Sequence, residues 1–202
     1  MIRRSSSRAV TLVVALAATL VACGGAAPTA IQNLVPGATP AASAAPARSA
    51  PSRAPGLAPV GATETARVVR VVDGDTIIID RGSGNERLRY IGIDAPESVK
   101  PDSPIEFMGR EASAANKVLV AGREVVLERD VSDTDRFGRL LRYVWIRDGD
   151  AWLFVNLELV REGFAQVATF PPDVRWTDTF RDAQREAREA GRGLWGPVTP
   201  SP

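Results

Sequence analysis

Residues 63–202 predict an α+β domain built on a small five-stranded barrel with about three helices. Three observations point there. Short runs rich in Val, Ile and Tyr alternate with turns containing Gly and Asp. One helical stretch stands between the third and fourth of these runs. The remaining helical periodicity falls after the fifth.

The elements follow in order. The β-branched run 66–72 (ARVVRVV) predicts a first strand, ended by the turn signal Asp73-Gly74-Asp75. A second strand is expected over 76–80 (TIIID), and the turn 82–85 (GSGN) leads into a third over 86–93 (ERLRYIGI). The segment 98–109 reads as a polar loop. Residues 110–121 predict a helix with Ala112, Ala115, Val118 and Leu119 on one face and Gly122 as its stop. Strands four and five are expected over 124–129 and 140–146, with the turn DTDRFG between them. Asp148-Gly149 turns the chain again. Two helices follow, over 155–162 and 178–190, the last with Phe180, Ala183, Ala187 and Ala190 facing inward. A five-stranded barrel with its helix between strands three and four has the plan of an OB-fold, whose face commonly binds nucleic acid.

Composition narrows the chemistry. The 202 residues contain no histidine, which removes a histidine general base and the histidine-bearing zinc sites. One cysteine, Cys23, allows no intrachain disulfide. Residues 63–202 hold 20 Lys and Arg against 24 Asp and Glu, a net charge of −4. A generic nucleic-acid binder is basic, so any polyanion site here must be local.

The front of the chain reads as an address. Residues 1–22 begin with Arg3, Arg4 and Arg8 and continue into an apolar run of 14 residues, too short to span a membrane comfortably. This is the layout of a secretory signal. Its end, Leu20-Val-Ala-Cys23, resembles the lipobox of bacterial lipoproteins. That resemblance implies cleavage before Cys23, a lipid on Cys23, and a domain held outside the cytoplasm on the cell membrane. Secretion after signal cleavage is the alternative. Residues 23–62 are rich in Ala, Pro and Ser and have too few bulky apolar residues to offset chain entropy, so a disordered linker is expected.

Two acidic turns carry the candidate chemistry. Asp73 and Asp75 close the first strand; Asp94 and Glu97 flank Pro96 at the end of the third, where the proline stiffens the backbone. Four carboxylates at neighbouring strand ends repel unless a hard cation sits among them. Arg89 lies in the third strand and Arg139 follows the DTDRFG turn. Arginine pairs bidentately with phosphate oxygens and stays charged at any working pH. A metal, two arginines and a spare carboxylate are the parts of a phosphoryl-transfer site. Arg89 and Asp94 are five residues apart, which in a regular strand puts them on opposite faces. An irregularity is therefore expected between Ile91 and Asp94. Phe137, Trp145, Trp152 and Phe164 read as core, and the last helix, mixed in charge, as a solvated face.

Taken together, VVRVVDGDTIIID, LRYIGIDAPES, GREASAANKVL and DRFGRLLRYVWI, in that order, resemble the staphylococcal nuclease (thermonuclease) family over about 66–195. The resemblance implies one calcium ion bound by Asp75 and Asp94 and by the backbone carbonyl of Ala95, with Asp73 in the outer shell. It implies that Glu97 acts on the attacking water, and that Arg89 and Arg139 bind the phosphate. It implies cleavage of DNA and RNA, with little sequence preference, to 5′-hydroxyl and 3′-phosphate ends by a monomer. Ala95 stands where the best-known member has threonine, and Phe137 where it has tyrosine. A stacking tyrosine expected near Thr169 is missing, with Phe170 as the candidate substitute beside Phe137 for substrate contact. Asp102 and Glu106 outnumber Lys100 in a loop that is more basic in that member. A non-catalytic OB-fold module binding nucleic acid or a protein is the alternative.

Overall fold

The computed structural model describes residues 56–98 and 106–197. The signal segment, Cys23, most of the linker, Lys100 and Asp102 lie outside the described residues.

Among the described residues, eight strands and three α-helices follow one another as β1 (Thr63–Val71), β2 (Thr76–Asp80), β3 (Asn85–Tyr90), β4 (Ile93–Asp94), α1 (Gly109–Val120), β5 (Glu124–Glu128), β6 (Leu140–Asp148), β7 (Ala151–Phe154), α2 (Val155–Arg161), β8 (Gln166–Val167) and α3 (Thr177–Glu189). A short 3-10 turn, Gly193–Trp195, follows. The main sheet runs β3-β2-β1-β5-β6-β7, and a parallel pairing of β3 with β6 closes five of its strands on themselves. This is the expected OB-type barrel, with α1 between the third and fourth barrel strands.

The alternation of the strands fills the barrel. Val68, Ile77, Ile79, Leu88, Val125 and Leu127 are fully enclosed, each such side chain contributing about 1.5–3 kcal/mol by leaving water. A second layer packs below, where the ring of Trp145 stacks on Phe154 at 3.9 Å and Phe180 of α3 tilts against Tyr143 at 6.1 Å.

Several expectations need correction. The third strand stops at Tyr90 rather than 93, because Gly92 takes φ +81° and turns the chain. A Cβ there would lie 2.5 Å from the Phe180 ring, so glycine is required twice over. The buried stripe of α1 is Ala112, Asn116 and Val120, whereas Val118 is 64% exposed. The apolar reading passed over Asn116 because it is polar. Asn116 is nevertheless satisfied, since its amide donates to the Asp73 carbonyl and its oxygen accepts from Tyr90. Ala190 is exposed, being already past the last turn of α3. Phe137 is 69% exposed and not core, because it tips a surface turn.

The last residues before β1 already touch the domain. Leu57 packs against the core, and the backbone N–H groups of Val60 and Gly61 donate to Glu128. Glu128 is fully buried and also accepts from the indoles of Trp145 and Trp176 and from Arg175.

Candidate active site

The acidic turns meet where β1 hands over to β2 and β3 breaks into β4. Asp75 N–H donates to the Asp73 carboxylate, an Asx turn that presents Asp75 toward β4. The turn is pressed against its neighbours: a Cβ on Gly74 would lie 2.5 Å from Ala95 Cβ and 2.9 Å from Ala112 Cβ. Glycine at 74 and alanine at 95 thus allow the two turns to approach.

Asp75 is 5% exposed, and Asp94 is exposed. Arg89 joins them, with Nη1 2.5 Å from Asp75 and Nη2 2.7 Å from Asp94. The break at Gly92 is what brings Asp94 round to the arginine, and it falls in the interval where an irregularity was expected. Among the described residues, Arg89 Nη1 is buried with no acceptor aligned to its N–H, despite the close ion pair. Asp75 also accepts the Ala95 N–H at 2.7 Å and the Thr76 hydroxyl at 3.0 Å. Burial pushes the Asp75 carboxyl up to about 7, with Asp73 adding to the rise and Arg89 and the Ala95 N–H opposing it.

Glu97 lies on the far side of Pro96. Its carboxylate accepts Ser98 N–H, and its own N–H donates to Glu106. Arg139 is held by Asp135, which takes its Nε at 2.6 Å and its backbone N–H at 3.0 Å. Burial opposes ionisation of Asp135, but these bonds and the Phe137 N–H outweigh it and hold the carboxyl below the usual range. The ring of Phe137 lies 4.7 Å from Arg136 and 5.5 Å from Arg139, within cation–π range.

Arg89 and Arg139 face one open cleft of about 480 Å³, with Phe137 and Phe170 also at its walls. Phe170 is 71% exposed. The structure therefore brings together Asp73, Asp75, Asp94, Ala95 and Arg89, and places Arg139, Phe137 and Phe170 at the same cleft as Arg89. Sequence reasoning missed Asp135 and Asn116. The four-residue spacing of Asp135 and Arg139 around a Gly turn was the available signal for the first.

The oxygen donors suit a hard cation in type. They do not form a ready cage: among the described residues no three acidic side chains converge as a metal site, and Arg89 links Asp75 to Asp94 instead. The carboxylates of Asp75 and Asp94 are of the type a hard cation takes when water and substrate oxygens complete its shell.

Comparison with known proteins gives a consistent answer. The model of the family described as "Staphylococcal nuclease homologue" matches residues 87–197. The chain is 37% identical over 132 residues to a thermonuclease of Staphylococcus hyicus and 39% identical over 132 residues to that of Staphylococcus intermedius. Each alignment covers 65% of this chain and 76% of the relative. Endonuclease YncB of Bacillus subtilis is 38% identical over 128 residues, covering 62% of this chain and 59% of the relative. With an OB-type barrel, two acidic turns and paired arginines in place, the chain belongs to the staphylococcal nuclease family and is a nuclease, a hydrolase of phosphodiester bonds.

Proposed function

We propose that the chain is a calcium-dependent phosphodiesterase that cuts DNA and RNA with little sequence preference, leaving 5′-hydroxyl and 3′-phosphate ends. The observation that carries this reading is Arg89, a half-buried guanidinium paired with Asp75 through Nη1 and with Asp94 through Nη2, set between two acidic turns and facing the same cleft as Arg139. Asp75, Asp94 and the Ala95 carbonyl would hold the ion, with Asp73 behind them. The ion supplies Lewis-acid polarisation of the phosphate when bound.

The remaining work falls to side chains. Arg89 and Arg139 bind the scissile phosphate and stabilise the charge that develops on its oxygens. Asp135 orients Arg139 by two bonds, so that its Nη atoms are available to substrate. Glu97 takes a proton from the attacking water, whose oxygen bonds to phosphorus as the 5′ oxygen leaves. Phe137 and Phe170 offer rings to the bases at the cleft mouth.

The proposal extends to location. The basic start, the apolar run and Cys23 support a lipid anchor outside the cytoplasm, with the residues between Cys23 and Leu57 as its tether. A soluble secreted form is the alternative.

The test is cleavage of single-stranded DNA and RNA by the full chain in calcium and in chelator, beside Glu97→Gln. Calcium-dependent cutting is expected from the native chain, with turnover lowered at least about a hundredfold in the variant and substrate binding retained. Normal cutting by Glu97→Gln removes Glu97 from the mechanism. Binding without cutting under any divalent ion favours a non-catalytic module.

A further inference from the structure

A second open cleft, of about 460 Å³, adjoins the first and shares Phe137 and Arg139 with it. Two acids line it, Glu86 and Asp133, and each is matched by an arginine. Arg81 binds Glu86 and Glu64, Arg142 binds Glu64 and Asp133, and Arg139 binds Asp135. Arg87 is the surplus cation. It is exposed, and its side chain makes no ion pair or hydrogen bond among the described residues.

The strand register sets Arg87 in a row. Ile78 of β2 pairs with Arg87 on one side and with Arg70 of β1 on the other. Leu88 pairs with Leu140 in the parallel ladder, which brings Arg87 abreast of Arg139. Paired residues share a face. Ile77 and Ile79 fill the barrel, so Ile78 and its two partners point out. With strands about 4.8 Å apart, Arg139, Arg87 and Arg70 span about 15 Å across the outer wall, and half-buried Ile78 supplies an apolar step between the last two. Arg70 is likewise exposed and unpaired among the described residues. In a domain of net charge −4, this is a local cationic row that begins at the phosphate-binding end of the cleft.

We propose that Arg87 and Arg70 form a track for the phosphates that flank the scissile one in a single-stranded polynucleotide, so that long strands are held more tightly than dinucleotides. The inference rests on the nuclease reading, which places the scissile phosphate at Arg89 and Arg139. Charge complementarity without base readout suits an enzyme of little sequence preference.

The test uses the full chain carrying Glu97→Gln, in calcium, with an oligothymidylate about twelve nucleotides long and a thymidine dinucleotide as probes. Adding Arg70→Ala and Arg87→Ala should weaken binding of the long probe about tenfold and reduce the slope of log K against log salt by about 1.4, or 0.7 per lost phosphate contact. Dinucleotide affinity should not change. The pair Arg70→Lys and Arg87→Lys should restore the slope, which separates charge from folding damage. An unchanged slope, or equal weakening of both probes, overturns the track. Cutting of the long probe by the same chain with Glu97 intact reports the nuclease reading separately. A chain that cuts but shows no slope change loses only the track. One that shows the slope change but never cuts keeps the track and loses the catalytic reading.

Discussion

Asp75 has a carboxyl that resists ionisation because it is buried, in a place where a cation is expected to need it ionised. Its folded-state pKa, raised to about 7, exceeds the unfolded value. Its contribution to stability is therefore full in acid and is lost as pH rises through about 7. A calcium ion bound at Asp75, as proposed, would reverse this by favouring the charged form. Calcium should raise the melting temperature of the full chain more at about pH 8 than at about pH 5.5, as scanning calorimetry with and without chelator would show. Equal shifts at both values would separate Asp75 from the ion. A second residue-scale prediction concerns Asp135. Asp135→Asn keeps the acceptor for the backbone bonds but turns an amide toward Arg139 Nε. Arg139 then loses its fixed orientation, and kcat/KM should fall about tenfold, or about 1.4 kcal/mol, with the melting temperature little changed. Steady-state kinetics on single-stranded DNA would check it.

At the scale of elements, α1 contributes more than an apolar face. Its buried Asn116 ties the Asp73 carbonyl to Tyr90, and so fixes the first acidic turn to the third strand. Asn116→Ala leaves two buried polar groups unpaired and should cost about 2–3 kcal/mol in urea unfolding. This link also shows what the sequence made legible. The five barrel strands, the three helices and the position of the acidic turns follow from period-2 and period-3.6 patterns and from Asp-Gly signals and lie within a few residues of expectation, whereas the short strands β7 and β8 were not expected. Asn116 was invisible because an apolar-face rule discards polar residues, and its role depends on Tyr90, remote in sequence. The exit of β3 at Gly92 was anticipated only as a geometric conflict between Arg89 and Asp94. The contact of Arg89 with Asp75 and Asp94, and the cleft it shares with Arg139, join residues that stand out in the sequence because they cluster in short motifs. Asp135 was not singled out, since an aspartate in a turn has an adequate local explanation.

For the whole molecule, Glu128 is the point where distant parts converge. It receives the segment before β1, the indoles of Trp145 and Trp176, and Arg175. Glu128→Gln turns a donor toward donors within a closed space and should destabilise the domain by about 3–5 kcal/mol. Urea unfolding would measure it, and limited proteolysis should show earlier cleavage near residues 56–61. A variant with native stability would show that these bonds are dispensable.

The parallel closure of β3 on β6 joins strands separated by the helix and a further hairpin partner, so it is among the least local contacts of the fold. Arg89 rides on β3, and Arg139 immediately precedes β6. They come to one cleft only when that seam has formed, after the entropy of a long intervening loop has been spent. Catalytic competence is thus expected late in folding, and a chain in which the seam has not formed should not cut nucleic acid. In refolding experiments, recovery of cleavage should trail recovery of helical signal and coincide with burial of Trp145, which sits on β6 beyond the seam.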